Sequence, residues 1–356
     1  MPRTLRLGFV PLTDCAPLVM ADQLGLFKKF GLRVKLSREL GWATVRDKVV
    51  HGELEAAHAI AAMPLAATLG LGSVAVDCLT ALVLNLNGNA ITLSNDLWKR
   101  GVRDGHSLRT AIRDARREKI FTFGVVFPFS SHRHVLRQWL SVHGIDPDKD
   151  VRIVIVPPPQ MAVNLKAGNL DGFCSGEPWN SVAVQARAGW VVAASAELDF
   201  GHAEKVLMVR RDFAEQCANE HLALVAALMM ACEFCAKPEN HDEISRTLAR
   251  PEYVGVSAEI LLRGLSGRLD CGQAQTKLIK DFFVFHGDTV NEPSGDKAAW
   301  ALQLIRASGL CPEPAALNFS LGRRVYRADL HQQARKIFPE TTNLFNHENE
   351  NELIAA

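Results

Sequence analysis

The sequence has no excess of either charge: 40 Lys and Arg stand against 39 Asp and Glu, a formal net charge of +1. A nucleic-acid surface needs clustered cationic side chains to displace counterions, so direct nucleic-acid binding is not expected. The most basic stretch, Arg109 to Lys119, is interrupted by Asp114 and Glu118 and has no interleaved aromatics, so it reads as a solvated helix face. Long apolar runs are missing too. None reaches the ~18–20 residues of a membrane span, and Leu222 to Ala231 is too short for one. Met1-Pro2-Arg3-Thr4 runs straight into the apolar pattern Leu5 to Val10, without the ordered regions of an export signal, so export is not expected. There is no Walker A pattern, no H-E-x-x-H and no G-x-S-x-G, and Gly70 and Gly72 lack the third glycine and preceding strand of a dinucleotide site. These absences point away from an enzyme.

What is present is material for a large core. Of 356 residues, 48% are hydrophobic and 22% charged, the balance of a soluble chain long enough for two lobes. Eight cysteines, Cys15, Cys78, Cys174, Cys217, Cys232, Cys235, Cys271 and Cys311, fall mostly in apolar segments. That usage predicts reduced, buried thiols and a cytoplasmic location. Cys232 and Cys235 have half of a zinc spacing, with His241 beyond, but no second pair follows, so no metal site is expected.

The first half alternates strand and helix patterns. Strands are predicted at Leu5–Val10, Gly31–Leu36 and Ala56–Ala59, and helices at Pro17–Phe27, Trp42–His51 and Met63–Leu69. Val74 to Leu84 runs apolar, as a buried parallel strand does. A second rhythm follows, with strands at 91–93, 122–126, 151–156, 173–175 and 191–194 and helices at 107–118, 131–143 and 161–167. The chain then returns through Val206–Val209 and is predicted mostly helical from Asp212 to about Phe338. The expected fold is α/β, with one lobe from residues 1–88 and 200–340, a second from 89–199, and a polar tail at 341–356. Crossings near Leu86–Ala90 and Leu198–Lys205 would leave a ligand cleft between the lobes.

Three segments bear on that cleft. Ser130 or Ser131 can cap the helix that carries His132, placing an imidazole beside free backbone N–H groups, a ready anion site. A serine nucleophile here would need a base brought in from elsewhere in space. Pro157-Pro158-Pro159-Gln160 stiffens a strand end, with Pro159 a possible cleft wall. Glu177-Pro178-Trp179-Asn180 closes another strand, with Glu177 and Trp179 placed against either cleft or core.

Several motifs together carry a family resemblance. Phe27-Lys-Lys-Phe-Gly31-Leu-x-Val34 is typical of the type II solute-binding fold. Gly41-Trp42-Ala-x-x-Arg46-Asp47, Leu86-Asn87-Gly88-Asn89, Phe127-Pro128, Asp171-Gly-Phe and Gly176-Glu177-Pro178-Trp179 follow in order. From about Leu5 to Phe338 the chain resembles the nitrate- and bicarbonate-binding receptors of ABC transporters. Within them it is most similar to the cytoplasmic NasS-type nitrate/nitrite sensors, which hold a NasT-type ANTAR antiterminator until ligand arrives. The resemblance implies ligand contacts at Trp42, Asn87, His132 (or His134) and Lys205. Asn87 departs from the Gln of the transporter pattern, and Lys205 stands where bicarbonate receptors have an acidic residue.

The chemistry is compatible. Nitrate is a flat anion with its charge spread over three oxygens, suited to an indole N–H, an amide, an imidazole and one ammonium. No cofactor is expected beside the ligand. Two other readings are a receptor that delivers nitrate or bicarbonate to an ABC permease, and an enzyme related to the thiamin-pyrimidine synthases, with Lys205 and His132 serving pyridoxal phosphate.

Overall fold

The computed structural model describes residues 3–199 and 201–337; the polar segment 341–356 lies outside them. Among these residues fourteen strands form two main sheets and a hairpin. In chain order they are β1 (Thr4–Phe9), β2 (Arg33–Arg38), β3 (Ala56–Ile60), β4 (Cys78–Leu79), β5 (Val83–Asn87), β6 (Asn89–Ser94), β7 (Phe121–Val125), β8 (Val151–Ile155), β9 (Gly172–Gly176), β10 (Gly189–Ala194), β11 (Ala203–Arg210), β12 (Arg268–Gly272), β13 (Gln275–Leu278) and β14 (Phe283–Val284). One sheet runs β14-β5-β11-β3-β1-β2, with β4 beside β11; the other runs β10-β6-β9-β7-β8. Each has a parallel part, β2-β1-β3 and β8-β7-β9, extended by antiparallel strands. This is the periplasmic-binding-protein-like fold.

The apolar runs form strands because both faces of each sheet are covered. β3 is buried at all five positions, and helix Ala218–Ala236 packs with helix Ala16–Gln23 through Leu18, Val19, Leu224, Leu228 and Cys232. That nineteen-residue helix is long and apolar enough to cross a membrane by length and composition, although most of its surface is buried in the core. Cys232 and Cys235 lie inside it, fully buried, and no group of three metal-ligating side chains occurs among the described residues.

Two expectations are corrected. Val74–Leu84 is not one parallel strand: it breaks into β4 and the start of β5, both antiparallel to β11. At the break Thr80 leaves the ladder: its backbone pairs with Val325 O and Arg327 N, and its hydroxyl donates to Leu82 O and accepts from Leu82 N, closing a local turn. The region after Asp212 is mostly helical, as expected, interrupted only briefly by β12, β13 and β14. It does not, however, stay on the first lobe as expected for 200–340. Leu269, Cys271, Ile279 and Phe282 pack against Ala90, Val191 and Ala194 of the second sheet before β14 rejoins the first.

Asn87 fastens these crossings. Its φ of +59° is a left-handed conformation that Asn tolerates better than most residues. Gly88 follows at φ +97°, where a Cβ would strike the Phe283 ring at 2.1 Å. Asn87 Nδ2 donates to Asp281 O at 2.9 Å, its Oδ1 accepts from Gly201 N at 3.0 Å, and its own N–H donates to His202 O at 3.2 Å.

Candidate functional site

The most densely charged buried cluster lies where the two sheets meet, beyond the carboxyl ends of β1, β7 and β9, where open α/β sheets bind ligands. Lys205 is its centre. It sits in β11 opposite Ile60 of β3 and is fully buried. Its Nζ lies 2.8 Å from Asp14 Oδ2 and 2.6 Å from Glu204 Oε1. Burial works against the ammonium charge, but the two carboxylates overcome it and hold the pKa above its ordinary value. Desolvation is the largest single influence on the two carboxyls, but Lys205 together with His58 at Asp14, and with His132 and His202 at Glu204, outweighs it and pulls Asp14 below its usual range and Glu204 well below.

The surrounding side chains come from both sheets. Asp14 lies on the helical turn Thr13–Cys15 after β1, and its Oδ1 meets His58 Nε2 at 2.8 Å. Trp42 opens helix Trp42–Val50, with its ring 5.3 Å from both Lys205 Nζ and the His58 ring. Four residues on, Arg46 lies over Phe127 of the other lobe at 5.8 Å. Opposite, Ser130 caps helix Ser131–Val142 by accepting from Arg133 N, which fixes His132 in the first turn. His132 Nε2 is 3.7 Å from Glu204 Oε1. Glu204 Oε2 accepts from Asn89 Nδ2 at 2.8 Å, Ser131 Oγ at 2.5 Å and His202 Nε2 at 3.2 Å.

Several polar atoms in this cluster have no protein partner: Trp42 Nε1, His132 Nε2, Asn89 Oδ1 and Thr13 Oγ1. A buried polar atom left unsatisfied costs about 1–3 kcal/mol, so such a group marks a place built for something else. Gly176 borders the same space. A Cβ there would come within 3.4 Å of Asn89 Oδ1 and 3.8 Å of Asp14 Oδ2. The free atoms include an obligate donor, the indole N–H, and a tautomeric imidazole nitrogen, which suits a small oxyanion. Lysine aldimine chemistry suits it less, since that needs an unprotonated amine and Lys205 is locked as an ammonium between two carboxylates.

Of the residues expected to share a site, Trp42, His132 and Lys205 come together, and Asn87 does not. Both ends of its amide are taken by backbone groups at the crossings, and the amide in the cluster belongs to Asn89. His134 faces away, edge-on to Trp300 at 5.1 Å. Pro159 is half-buried in a helical turn, and Pro157 is the proline that faces Gly41 across the junction. Glu177 and Trp179 lie at the lobe junction: Glu177 O accepts from Thr13 N, and Trp179 Nε1 donates to Pro11 O at 2.9 Å. Asp14, His58, Asn89, Ser131, His202 and Glu204 were not anticipated. One signal for them stood in the sequence: His58 is the lone polar residue of the apolar strand Ala56–Ile60.

Residues 1–249 match the model of the NMT1-like family. Over 334 residues the chain is 41% identical to the nitrate import ATP-binding protein NrtC of Synechocystis, covering 93% of this chain and 49% of that one. Over 312 residues it is 37% identical to the bicarbonate transport ATP-binding protein CmpC of Synechococcus elongatus, covering 87% and 46%. The chain thus spans about half the length of these relatives. The crystal structure of the periplasmic nitrate-binding protein NrtA from Synechocystis superposes with a TM-score of 0.90 at 28% identity, covering 95% of this chain and 89% of that one.

Proposed function

The chain belongs to the NMT1-like family, and on that premise we propose that it binds nitrate or nitrite at the lobe junction. Trp42 and His132 would donate to the anion, with Lys205 supplying the positive charge. The observation that carries this reading is the pair of partnerless ring nitrogens, Trp42 Nε1 and His132 Nε2, flanking a fully buried ammonium. The resemblance of the sequence to nitrate receptors and the fold match to NrtA support nitrate over other oxyanions. Lysine rather than an acidic residue at position 205 favours it over bicarbonate.

In this reading the protein is a cytosolic sensor that holds an RNA-binding antiterminator of the NasT type and releases it when ligand binds. Its eight free cysteines suit a reducing compartment. Release requires the ligand to bind the partner-free form more tightly, and by reciprocity the partner weakens anion binding by the same factor. The relatives named as components of nitrate import support a second reading equally well, a receptor serving an ABC permease. Calorimetric titration with nitrate, nitrite and bicarbonate, beside Lys205→Met, tests the binding site. Nitrate or nitrite binding that the substitution abolishes is expected, and a preference for bicarbonate would refute the assignment. Equal nitrate affinity with and without the antiterminator would remove the sensor and leave the receptor.

A further inference from the structure

The cluster holds more negative charge than Lys205 balances. The titratable groups that face one another are Asp14 from the turn after β1, His58 from β3, His132 from the helix after β7, and Cys174 from β9. Asp199, His202, Glu204 and Lys205 come from β11 and its approach. Asp14 and Glu204 are both ionised against one ammonium. His202 has both nitrogens on acceptors, Asp199 O and Glu204 Oε2, so it is an imidazolium and with Lys205 it brings Asp14 and Glu204 to neutrality, leaving no positive charge to spare. An incoming monoanion would take the cluster to −1 away from water, where charge is poorly screened.

We propose that the site takes up a monovalent oxyanion together with one proton, that His132 receives the proton, and that Glu204 makes the proton necessary. The inference rests on the anion-site reading above. His132 is singled out by geometry. Its Nε2 has no partner and stands 3.7 Å from Glu204 Oε1, while its Nδ1 lies 3.5 Å from Ser131 Oγ. As an imidazolium it offers a donor from each nitrogen, so one new N–H can turn to the anion or to Glu204. The other imidazoles have less to gain. His202 already uses both nitrogens, on Asp199 O and Glu204 Oε2; His58 also leaves one nitrogen, Nδ1, without a partner, but its Nε2 already meets Asp14, whereas His132 has no carboxylate within hydrogen-bond distance until it is charged. Burial keeps His132 neutral until ligand arrives, with its pKa pushed down to about 4. The proton comes from solvent and no other bond changes. A dianion would require a second proton, so the site selects monoanions.

The test is calorimetric titration of the full chain with sodium nitrate at pH 7.5 in phosphate and in Tris, whose ionisation enthalpies differ. Uptake of about one proton per nitrate is expected, with affinity falling about tenfold for each pH unit above neutrality. In Glu204→Gln the uptake should vanish and nitrate binding at pH 9 should exceed that of the unaltered protein. In His132→Gln the uptake should also vanish. Sodium sulfate should give no binding. Tight nitrate binding with no proton uptake and a flat pH profile would overturn this inference and leave the nitrate site standing. Undiminished uptake in His132→Gln, or sulfate bound as tightly as nitrate, would overturn it too. No nitrate binding under any condition would refute the site itself.

Discussion

Glu177 offers a sharp test of how the lobe junction stores charge. It directly follows β9, is 1% exposed, and its backbone bonds to both lobes, donating to Gly88 O and accepting from Thr13 N. Its carboxyl has little to hold it: Oε2 accepts from Ser181 N at 3.3 Å and Oε1 has no partner. Burial therefore wins over the Ser181 and Asn180 contacts and raises the pKa from 4.5 to about 7. A raised acid keeps its proton in the folded state after the unfolded state has lost it. Its contribution to stability is therefore full below pH 4.5, declines as pH rises, and is gone above about 7. The gap between 4.5 and about 7, at 1.36 kcal/mol per pH unit, is about 3 kcal/mol. Glu177→Gln keeps the shape without the ionisation, so it should be more stable than the parent by about 3 kcal/mol at pH 8 and by under ~1 kcal/mol at pH 5. With an unfolding entropy of about 2.1 cal/mol/K per residue, this corresponds to a Tm gain of about 4 °C at pH 8 and about 1 °C at pH 5. Thermal melts of both proteins at the two pH values decide it. An equal gap at pH 5 and 8, or a variant less stable at pH 8, would refute the reasoning.

Substitutions at two further positions separate binding from architecture. Trp42→Phe keeps a ring beside His58 but removes the unpartnered indole N–H and part of a fully buried ring. Nitrate affinity should fall about tenfold, while Tm drops by no more than about 4 °C; titration and melting of the same preparation measure both, and unchanged affinity would remove the indole from the site. Asn87→Gly removes two side-chain hydrogen bonds at the lobe crossings but accepts a φ of +59°, for a loss of about 2 kcal/mol. Asn87→Ala adds about 1 kcal/mol of backbone strain. Melting should rank the parent above Gly and Gly above Ala, and the reverse order would mean that Asn87 is not held by its backbone conformation.

Much of the architecture was legible because strand and helix patterns report burial on one chain segment at a time. The runs that became β1, β3, β7 and β8 matched within a residue or two: β3 and β7 because a buried strand is apolar along nearly its whole length, β1 and β8 because their apolar residues alternate. The helix over Ser131–Val142 was visible in its Ser130 cap. What failed was information held by pairing. Nothing local in Val74–Leu84 says that β4 and β5 run antiparallel to β11, and nothing in 268–284 says that this stretch crosses to the second sheet and back.

The candidate site divides along the same line. The sequence by itself determined which side chains could donate to a small anion: Trp42 opening its helix, His132 in a capped first turn, and Lys205 in an apolar strand. It did not determine that Asn87 would take a left-handed backbone and turn its amide toward Asp281 and Gly201 instead of the ligand space. Only the tertiary structure decided the charge of the site. Asp14 and Glu204 reach Lys205 from different elements, 191 residues and one residue away in the chain. A carboxylate's effect falls with distance through space and not along the sequence, so folding alone settled how much positive charge remains for a ligand.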